Sequence, residues 1–288
     1  MGKHAFLIIA HKEIDQLNSL IKALDNERND IFINLDPKDK PYVYKVKKAN
    51  LFFNNFIPGK WGGFSLVKIE LSLLELANKN RAYDFYHLLS GQDYLLKPLP
   101  SIYNFFDNHQ NTNFIEVNDN LKLENPERFN LRYQQYHFLQ DKFGMKKRSF
   151  LKYLDFGSCL IQKYVGIKRS NNITIKSGSQ WFSITKPLVE FILQNKNKIF
   201  YIFKNTYCPD ELFMQTIIWD SKFMKTLFNK GKKHSNLRYY NFQWIEKHVL
   251  TPKILDESDL SDIKQTNALF GRKFSIPTSQ KLEQLLLK

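Results

Sequence analysis

Ala5-Phe6-Leu7-Ile8-Ile9-Ala10, near the start of this 288-residue chain, is a short apolar run bounded by polar residues, the pattern of a buried parallel strand. Residues 13–24 repeat apolar side chains at helical spacing, and Asp30-Ile31-Phe32-Ile33-Asn34-Leu35-Asp36 follows as a second strand that Pro37 ends. This βαβ unit predicts an α/β sheet with a nucleotide site at the strand carboxyl ends. Asp36 lies where a carboxylate would contact a ribose or base, although a turn aspartate before proline explains it equally well.

The rest of the chain continues to alternate between helix and strand patterns. Trp61-Gly62-Gly63 leads into a helical pattern that extends to Ala77. We predict further strands at 83–89 and 113–117, and further helices at 186–194, 209–221 and 280–287. Residues 125–150 are rich in Arg, Tyr and Phe without a clear period, and we interpret them as an insertion or lid. This alternation predicts an α/β fold with a less regular second half.

The composition favours an anionic partner. Lys and Arg number 43 against 28 Asp and Glu, which gives a net charge of +15. That balance suits nucleotide phosphates, an anionic membrane surface or nucleic acid, and does not choose among them. The two cysteines make neither a disulfide framework nor a metal set, and we find no signal peptide and no apolar run long enough to span a membrane. We therefore expect a cytoplasmic protein whose charge would allow peripheral contact with the inner face of the cell membrane.

Two neighbouring stretches suggest a catalytic site. Tyr207-Cys208-Pro209-Asp210-Glu211-Leu212-Phe213 predicts a helix start that holds Glu211 in its first turn. Lys176-Ser177-Gly178-Ser179-Gln180-Trp181-Phe182, upstream of it, predicts a tight turn that enters an aromatic strand. A carboxylate fixed at a helix N-terminus is a candidate general base. Acidic residues are also favoured at that position without any catalytic role, so both interpretations stay open here.

A third stretch suggests a phosphate site. Phe270-Gly271-Arg272-Lys273-Phe274 offers two adjacent cations in an apolar setting, with Lys253 or His248 as further candidates. A solvated basic turn is the alternative interpretation of these residues. Aromatic side chains that could stack on a sugar or base, or equally form core, are Trp61, Trp181, Tyr239 and Tyr240.

Several common sites are not supported by the sequence. The seven histidines form no HxxxH or HxH pair, and no Asp-x-Asp motif follows a strand where a nucleotide-sugar enzyme would hold a divalent ion. Neither a Gly-x-x-x-x-Gly-Lys-Ser/Thr loop nor Gly-x-Gly-x-x-Gly occurs, which argues against ATPases and ordinary dehydrogenases. If phosphates bind, side-chain cations must neutralise the charge of the leaving group in place of a metal.

The order of these motifs resembles glycosyltransferase family 14, which contains the core-2/I-branching β-1,6-N-acetylglucosaminyltransferases and the peptide O-xylosyltransferases. In the first half, the resemblance rests on Ala5-Phe6-Leu7-Ile8-Ile9-Ala10-His11-Lys12, Ile31-Phe32-Ile33-Asn34-Leu35-Asp36-Pro37-Lys38, Trp61-Gly62-Gly63-Phe64-Ser65 and Leu88-Leu89-Ser90-Gly91-Gln92-Asp93-Tyr94. In the second half it rests on Ser177-Gly178-Ser179-Gln180-Trp181-Phe182, Cys208-Pro209-Asp210-Glu211 and Leu269-Phe270-Gly271-Arg272-Lys273-Phe274. It covers nearly the whole chain and is weakest at 119–170.

The resemblance implies a GT-A-like single domain over 1–288, with a mostly parallel mixed sheet flanked by helices. It divides into a nucleotide-binding half (1–118) and an acceptor-binding, catalytic half (119–288). It also implies an inverting reaction without a divalent metal, with Glu211 as the general base. The nucleotide-binding residues that it implies are Ala10, His11, Asp36, Trp61, Lys253, Arg272 and Lys273. The sugar- or acceptor-binding residues that it implies are Ser177, Gly178, Trp181, Glu116, Arg128 and Tyr239.

The expected substrates follow from the same resemblance. The donor would be a UDP-sugar, with UDP-N-acetylglucosamine first and UDP-xylose, UDP-galactose and UDP-glucose open, and the acceptor a glycan or lipid-linked saccharide. The animal enzymes are membrane-anchored and disulfide-rich, so this chain resembles a bacterial, cytoplasmic member that builds a surface polysaccharide. No cofactor and no nucleic acid are expected. The alternatives are a basic nucleic-acid-binding module, favoured by charge and aromatic content, and an inactive sugar-binding homologue.

Overall fold

The computed structural model describes residues 2–118, 121–145, 148–169, 173–232, 234–246 and 249–286. The strands are β1 His4–Ile9, β2 Asn29–Asn34, β3 Asn50–Phe53, β4 Phe85–Ser90, β5 Asp93–Leu95, β6 Phe114–Ile115, β7 Phe182–Thr185, β8 Arg238–Tyr240, β9 Phe242–Glu246, β10 Val249–Pro252 and β11 Phe270–Arg272. The helices are α1 Ile14–Ala23, α2 Phe64–Asn80, α3 Leu99–Asp107, α4 Leu121–Glu124, α5 Pro126–Phe129, α6 Gln140–Phe143, α7 Phe150–Tyr164, α8 Lys186–Gln194, α9 Lys196–Phe203, α10 Phe213–Trp219, α11 Leu260–Gln265 and α12 Gln280–Leu286. Residues 248 and 287, at which two of the sequence predictions fall, lie outside the described residues.

The central sheet has six strands in the order β3-β2-β1-β4-β7-β6. β1 pairs in parallel with β2 and β4, and β2 pairs in parallel with β3. β7 is antiparallel to both β4 and β6. The predicted α/β class with a mostly parallel mixed sheet is therefore confirmed.

The sheet divides the core into two apolar layers. Along β1, Ala5 and Leu7 pack into the layer that contains α2, whereas Phe6 and Ile8 pack into the layer that contains α1. A strand that is buried on both faces must be apolar throughout, which explains the uninterrupted run at the start of the sequence. The chain thus forms helices on both faces of the sheet, as the α/β prediction requires.

A second sheet, of three strands, carries the basic pair of residues. β11 lies at its centre, antiparallel to β5 and parallel to β8. The amide of Phe274 donates to the carbonyl oxygen of Gln92 (2.8 Å), just beyond the end of β4. The basic pair is therefore not a solvated turn: Arg272 ends a buried strand, and Lys273 is half-buried.

The predicted helix at 209–221 is wrong in one respect. The structure has a 3₁₀ turn, Pro209–Glu211, and then α10, with Leu212 outside helical geometry between them. The carbonyl oxygen of Glu211 accepts a hydrogen bond from the amide of Gly178 (2.9 Å) and is not used to continue a regular helix. The described residues of the predicted insertion at 125–150 include short helices and a π-helical turn at Asn130–Gln134. None of the helices in the described parts of the chain has the length and apolar character to cross a membrane.

Candidate active site

The carboxyl ends of β1, β2 and β4 form one edge of the candidate site. The amide of Ala10 donates to the carbonyl oxygen of Asn34 (3.2 Å), and the amide of Gly91 donates to that of Ile9 (3.0 Å). A Cβ on Gly91 would lie 3.0 Å from the Cβ of Ala10, so a glycine lets the two strand ends approach closely. Ligands of open α/β sheets bind outside such strand ends.

Asp36 lies at the same edge of the sheet. Its carboxylate caps the following 3₁₀ turn by accepting from the amide of Lys38 (3.2 Å). The Lys38 ammonium lies 3.6 Å away. The turn role that the sequence left open is therefore present, and the predicted contact with a nucleotide remains a prediction.

Cations gather beside this edge. Burial and then the charges of Lys12 and Arg272 lower the pKa of Lys273. Burial and then the charges of Lys12 and Lys273 lower the pKa of His11. These shared effects place His11, whose lowered pKa keeps it neutral, beside Lys12, Arg272 and Lys273. We call these three residues the cation cluster, and a cluster of like charges favours an anionic ligand.

Arg272 is the most constrained member of the cation cluster. Its guanidinium lies 4.4 Å from the centre of the Trp181 ring, and its Nη1 lies 3.7 Å from a carboxylate oxygen of Asp93. Within the described part of the chain, this buried Nη1 has no hydrogen-bond partner. An unsatisfied buried donor is costly, and a phosphate oxygen would satisfy it once the guanidinium turned to expose this nitrogen.

Lys253 is close to the cluster but has partners of its own. The amide of Lys273 donates to the carbonyl oxygen of Lys253 (3.3 Å), whereas the Lys253 ammonium lies 2.8 Å from Asp259 and 3.6 Å from Asp256. Tyr239 belongs to the same neighbourhood, because burial and then the charges of Asp259 and Asp262 raise its pKa. The structure therefore places Lys253 and Tyr239 with an acidic turn, and His248 lies outside the described residues.

Glu211 lies in residues 205–212, which we call the catalytic loop because they contain the general base predicted from the sequence. Its Oε2 is 2.5 Å from Nη1 of Arg132 and 3.6 Å from Nη2 of Arg128. The Arg132 side chain is only 10% exposed, whereas that of Glu211 is 36% exposed. Both arginines therefore approach the same oxygen of this carboxylate. The sequence analysis missed Arg132; its signal was a second arginine four residues after Arg128.

The turn at 177–179 fixes the main chain of the catalytic loop. Besides the bond from Gly178 to Glu211, Ser177 exchanges two backbone hydrogen bonds with Asn118. A Cβ on Gly178 would lie 1.8 Å from the carbonyl oxygen of Glu116, so only glycine fits. The side chain of Gln215 donates to the carbonyl oxygens of both Glu116 (3.2 Å) and Ser179 (2.8 Å). The predicted residues Ser177, Gly178, Glu116 and Glu211 are thus brought together.

Two aromatic residues border this group. Burial and then the charges of Glu116 and Glu211 raise the pKa of Tyr240 to about 12. Tyr240, and not its neighbour Tyr239, therefore faces Glu116 and Glu211. Trp61 is half exposed, and its ring meets that of Tyr207 edge-on at 5.8 Å. The amide of Cys208 donates to the carbonyl oxygen of Gly62 (2.9 Å), which fixes Trp61 against the catalytic loop.

Two carboxyl groups are buried next to each other, Asp210 in the catalytic loop and Glu70 in α2. Burial and then the charge of Glu211 raise the pKa of Asp210 to about 7, and burial and then the charge of Asp210 raise that of Glu70. Glu70 accepts a hydrogen bond from Gln180 (2.8 Å), which connects α2 to the 177–179 turn. Two charges this close would repel in a buried site, so the pair is stable with protons bound.

We predict that Asp210→Asn changes how stability depends on pH. The unfolded carboxyl ionises near pH 4, whereas the folded one keeps its proton to about pH 7. Stability is therefore lost as pH rises through that window, by up to about 1.4 kcal/mol per pH unit. The asparagine variant should lack this loss when its free energy of unfolding is measured in urea from pH 5 to 8.

The control for that measurement is Asp220→Asn, an exposed carboxyl directly after the end of α10. Burial also lowers the pKa of His4 to about 3 and lowers that of His87, so these residues destabilise the fold below about pH 6.5. They are unchanged in the variant, so the difference between variant and wild type reports Asp210 together with its effect on the pKa of Glu70. Parallel pH profiles for Asp210→Asn and wild type would contradict the prediction.

One group of described residues has the composition of a metal site. Donor atoms of His137, Asp155 and Cys159, all buried, lie within 4.8 Å of one another. His137 bonds to Asp155 through Nδ1 (2.8 Å) and to the carbonyl oxygen of Leu131 through Nε2 (2.7 Å). Burial lowers the pKa of His137, but the bonds to Asp155 and Cys159 outweigh it and raise the pKa to about 9. A protonated imidazole has no lone pair for a metal, so we interpret the group as a buried ion pair.

Comparison with known proteins agrees with these observations. The profile of the Core-2/I-branching enzyme family matches residues 4–264. Human xylosyltransferase 2 is 24% identical over 310 residues, which cover 98% of this chain and 33% of that protein. Human xylosyltransferase 1 is 24% identical over 305 residues, which cover 96% of this chain and 29% of that protein. The chain thus spans about a third of the length of the curated relatives it matches.

Among solved structures, mouse xyloside xylosyltransferase 1 in its apo form aligns with a TM-score of 0.35 and 9% identity, over 76% of this chain and 81% of that one. The family match covers most of the chain, including the strand ends, the 177–179 turn and the catalytic loop. The fold is the α/β architecture with a mostly parallel, mixed central sheet that the resemblance implied. The chain therefore belongs to the Core-2/I-branching enzyme family, glycosyltransferase family 14.

Proposed function

We propose that the chain transfers a sugar from a UDP-sugar to a hydroxyl of a glycan acceptor in one inverting displacement, with Glu211 as the general base. The observation that carries the proposal is the Glu211 carboxylate, held through Oε2 by the buried guanidinium of Arg132 with its second oxygen left for a substrate. A carboxylate whose orientation is fixed by an arginine is a suitable group for removing the proton of a hydroxyl.

The proposed step conserves atoms and charge. Glu211 takes the proton of the acceptor hydroxyl while that oxygen bonds to the anomeric carbon of the donor sugar. The bond from the anomeric carbon to the diphosphate oxygen breaks on the opposite face, and UDP leaves with the bonding electron pair. Lys273 and Arg272 stabilise the charge that develops on UDP. A single displacement inverts the anomeric centre and forms no covalent sugar–enzyme intermediate.

The cation cluster supports the proposal that no divalent metal takes part. Its fixed positive charges can neutralise a leaving diphosphate, which is the task of the metal in many nucleotide-sugar enzymes. Arg272 offers an unsatisfied buried donor for this purpose. Lys253 would contribute only if a nucleotide displaced the pairing with Asp259.

The donor sugar has two candidates. The branching enzymes that give the family its name suggest UDP-N-acetylglucosamine, whereas the matched relatives are named xylosyltransferases, which favours UDP-xylose. For the acceptor we propose a glycan or lipid-linked saccharide of a bacterial surface polysaccharide, bound beside Trp61, Glu116, Arg128 and Tyr240. Arg128 and Arg132, which contact Glu211, can supply hydrogen bonds to a sugar, and the aromatic rings can supply stacking surfaces.

We predict that UDP and one UDP-sugar raise the melting temperature in the presence of EDTA, because a ligand that binds only the folded state stabilises it. Lys273→Ala should lose most of that shift, since it removes a cation from the cluster. The matched control is Lys79→Ala, an exposed lysine near the end of α2, by the start of β2 at the opposite edge of the sheet. It should keep the full shift.

The same titration distinguishes the competing ideas. Stabilisation by UDP-xylose and not by UDP-N-acetylglucosamine would identify UDP-xylose as the donor. Stabilisation by UDP-N-acetylglucosamine and not by UDP-xylose would identify UDP-N-acetylglucosamine. Stabilisation only after a divalent ion is added would refute metal independence. No response to any UDP compound under either condition would refute the proposed function.

A further inference from the structure

Helix α7 is amphipathic in the opposite sense to a normal surface helix. The side chains that it buries are polar: Asp155, Cys159 and Gln162. Its other face is apolar and exposed, and we define this α7 face as Phe150, Tyr153, Leu154, Leu160, Ile161 and Tyr164. Phe150 is 75% exposed and Tyr164 is 92% exposed. These positions are three, four or seven residues apart, with Gly157 between the two halves, so they lie on one face of the helix.

Polar bonds hold α7 against the protein. Asp155 binds His137 (2.8 Å) and accepts from the amide of Leu139 (3.0 Å). Gln162 accepts from the amide of Tyr136 (2.8 Å) and donates to its carbonyl oxygen (2.9 Å). Since these bonds fix which side faces the protein, the apolar stripe must point away from it. A continuous exposed apolar face of this size is typical of an interaction site.

The charges around the α7 face indicate the kind of partner. The exposed charged residues described between 142 and 168 are all basic: Lys142, Arg148, Lys152, Lys163 and Lys168. Basic residues that border a stripe of aromatic and aliphatic side chains are typical of a helix lying in a membrane interface, where their ammonium groups reach the lipid headgroups. If a second copy of the chain covered the α7 face, the basic residues beside the two stripes would come together and repel, on molecules that each carry a net charge of +15.

We propose that the α7 face binds the surface of an anionic lipid bilayer. The helix would lie in the plane of the interface with its aromatic side chains among the lipid chains and its lysines among anionic headgroups. The segment that α7 holds also carries Arg132, and His137 donates from its amide to the carbonyl oxygen of Asn205 (2.8 Å) in the catalytic loop. If the proposed function is correct, docking would present the catalytic loop to an acceptor anchored in that bilayer.

The test is co-sedimentation of the protein with phosphatidylcholine vesicles with and without phosphatidylglycerol. The wild type should bind the anionic vesicles, bind the neutral ones weakly, and be released by salt. The double variant Phe150→Ser/Tyr164→Ser should bind about tenfold less or weaker still, because two large aromatic side chains leave the interface. Its matched control is Tyr42→Ser/Tyr201→Ser, which removes aromatics that are 71% and 81% exposed elsewhere and should bind as wild type.

A second variant tests the charges without touching the apolar stripe. Lys152→Glu/Lys163→Glu should lose most binding to anionic vesicles, and its circular dichroism melt checks that it remains folded. Equal binding by both α7 variants and wild type would overturn the proposal. So would a wild type that ignores vesicles but forms a dimer that Phe150→Ser/Tyr164→Ser dissociates, because the α7 face would then be covered by a second copy. Vesicle binding is measured without donor or acceptor, so it can fail or succeed independently of the proposed transferase activity.

Discussion

Glu211→Gln is expected to lower the rate of sugar transfer by about 10²–10⁴-fold while UDP binding stays close to that of the wild type. The glutamine has the same shape, and its amide oxygen can still accept from Arg132, which lies 2.5 Å from Oε2 in the wild type. It cannot take a proton from an acceptor hydroxyl. The measurement is turnover with the donor identified by thermal shift, together with the UDP-induced shift of each protein.

The control for this variant is Glu75→Gln. Glu75 is also a partly exposed carboxylate paired with a cation, since its Oε1 lies 2.6 Å from the ammonium of Lys196 and its side chain is 32% exposed. It lies in α2, away from the catalytic loop, and its loss should leave turnover unchanged. Wild-type turnover by Glu211→Gln would show that another group removes the proton. Loss of UDP binding together with turnover would show instead that the substitution disturbs the fold.

The fold was predictable where local pattern and tertiary packing agree. The apolar run of β1, the helical spacing of α1 and the second run in β2 describe buried elements, and the structure confirms all three. The prediction failed at 209–221 because the interruption at Leu212 depends on a partner distant in sequence. Gly178 takes the carbonyl oxygen of Glu211, and no local propensity records that bond.

The residues of the candidate site also divide into those that the sequence revealed and those that depend on tertiary packing. Glu211 and Gly178 were found because each lies in a short motif, and the structure joins them by one hydrogen bond. Arg132 had only its spacing from Arg128 as a signal, and Glu70 had none. An arginine in an aperiodic segment and a glutamate in a regular helix acquire their roles from the groups packed against them. The pairing of Lys253 had a visible signal in the acidic residues three and six positions further along.

Gly178→Ala is expected to damage both the fold and the activity. An ideal Cβ at this position would lie 1.8 Å from the carbonyl oxygen and 2.8 Å from the carbonyl carbon of Glu116, and these are backbone atoms that cannot rotate away. Overpacking of this kind costs about 3 kcal/mol of folding free energy. Relief of the clash must move either the strand end at Glu116 or the amide that holds Glu211. Because a displacement of about 1 Å can cost 10²-fold in rate, turnover should fall at least that far.

Gly157→Ala is the matched control, because it makes the same chemical change where a Cβ would meet nothing within 4 Å. Gly157 lies within α7, and alanine there should stabilise the protein by about 0.5–1 kcal/mol. Urea denaturation gives the stability of both variants. Turnover is measured without urea, at a temperature where both variants are folded. If Gly178→Ala is as stable as wild type, the contact with Glu116 is wrong. If Gly178→Ala is destabilised but fully active, the turn supports the fold without positioning Glu211. The catalytic loop must then be held by its other contacts, which are with Gly62 and Arg132.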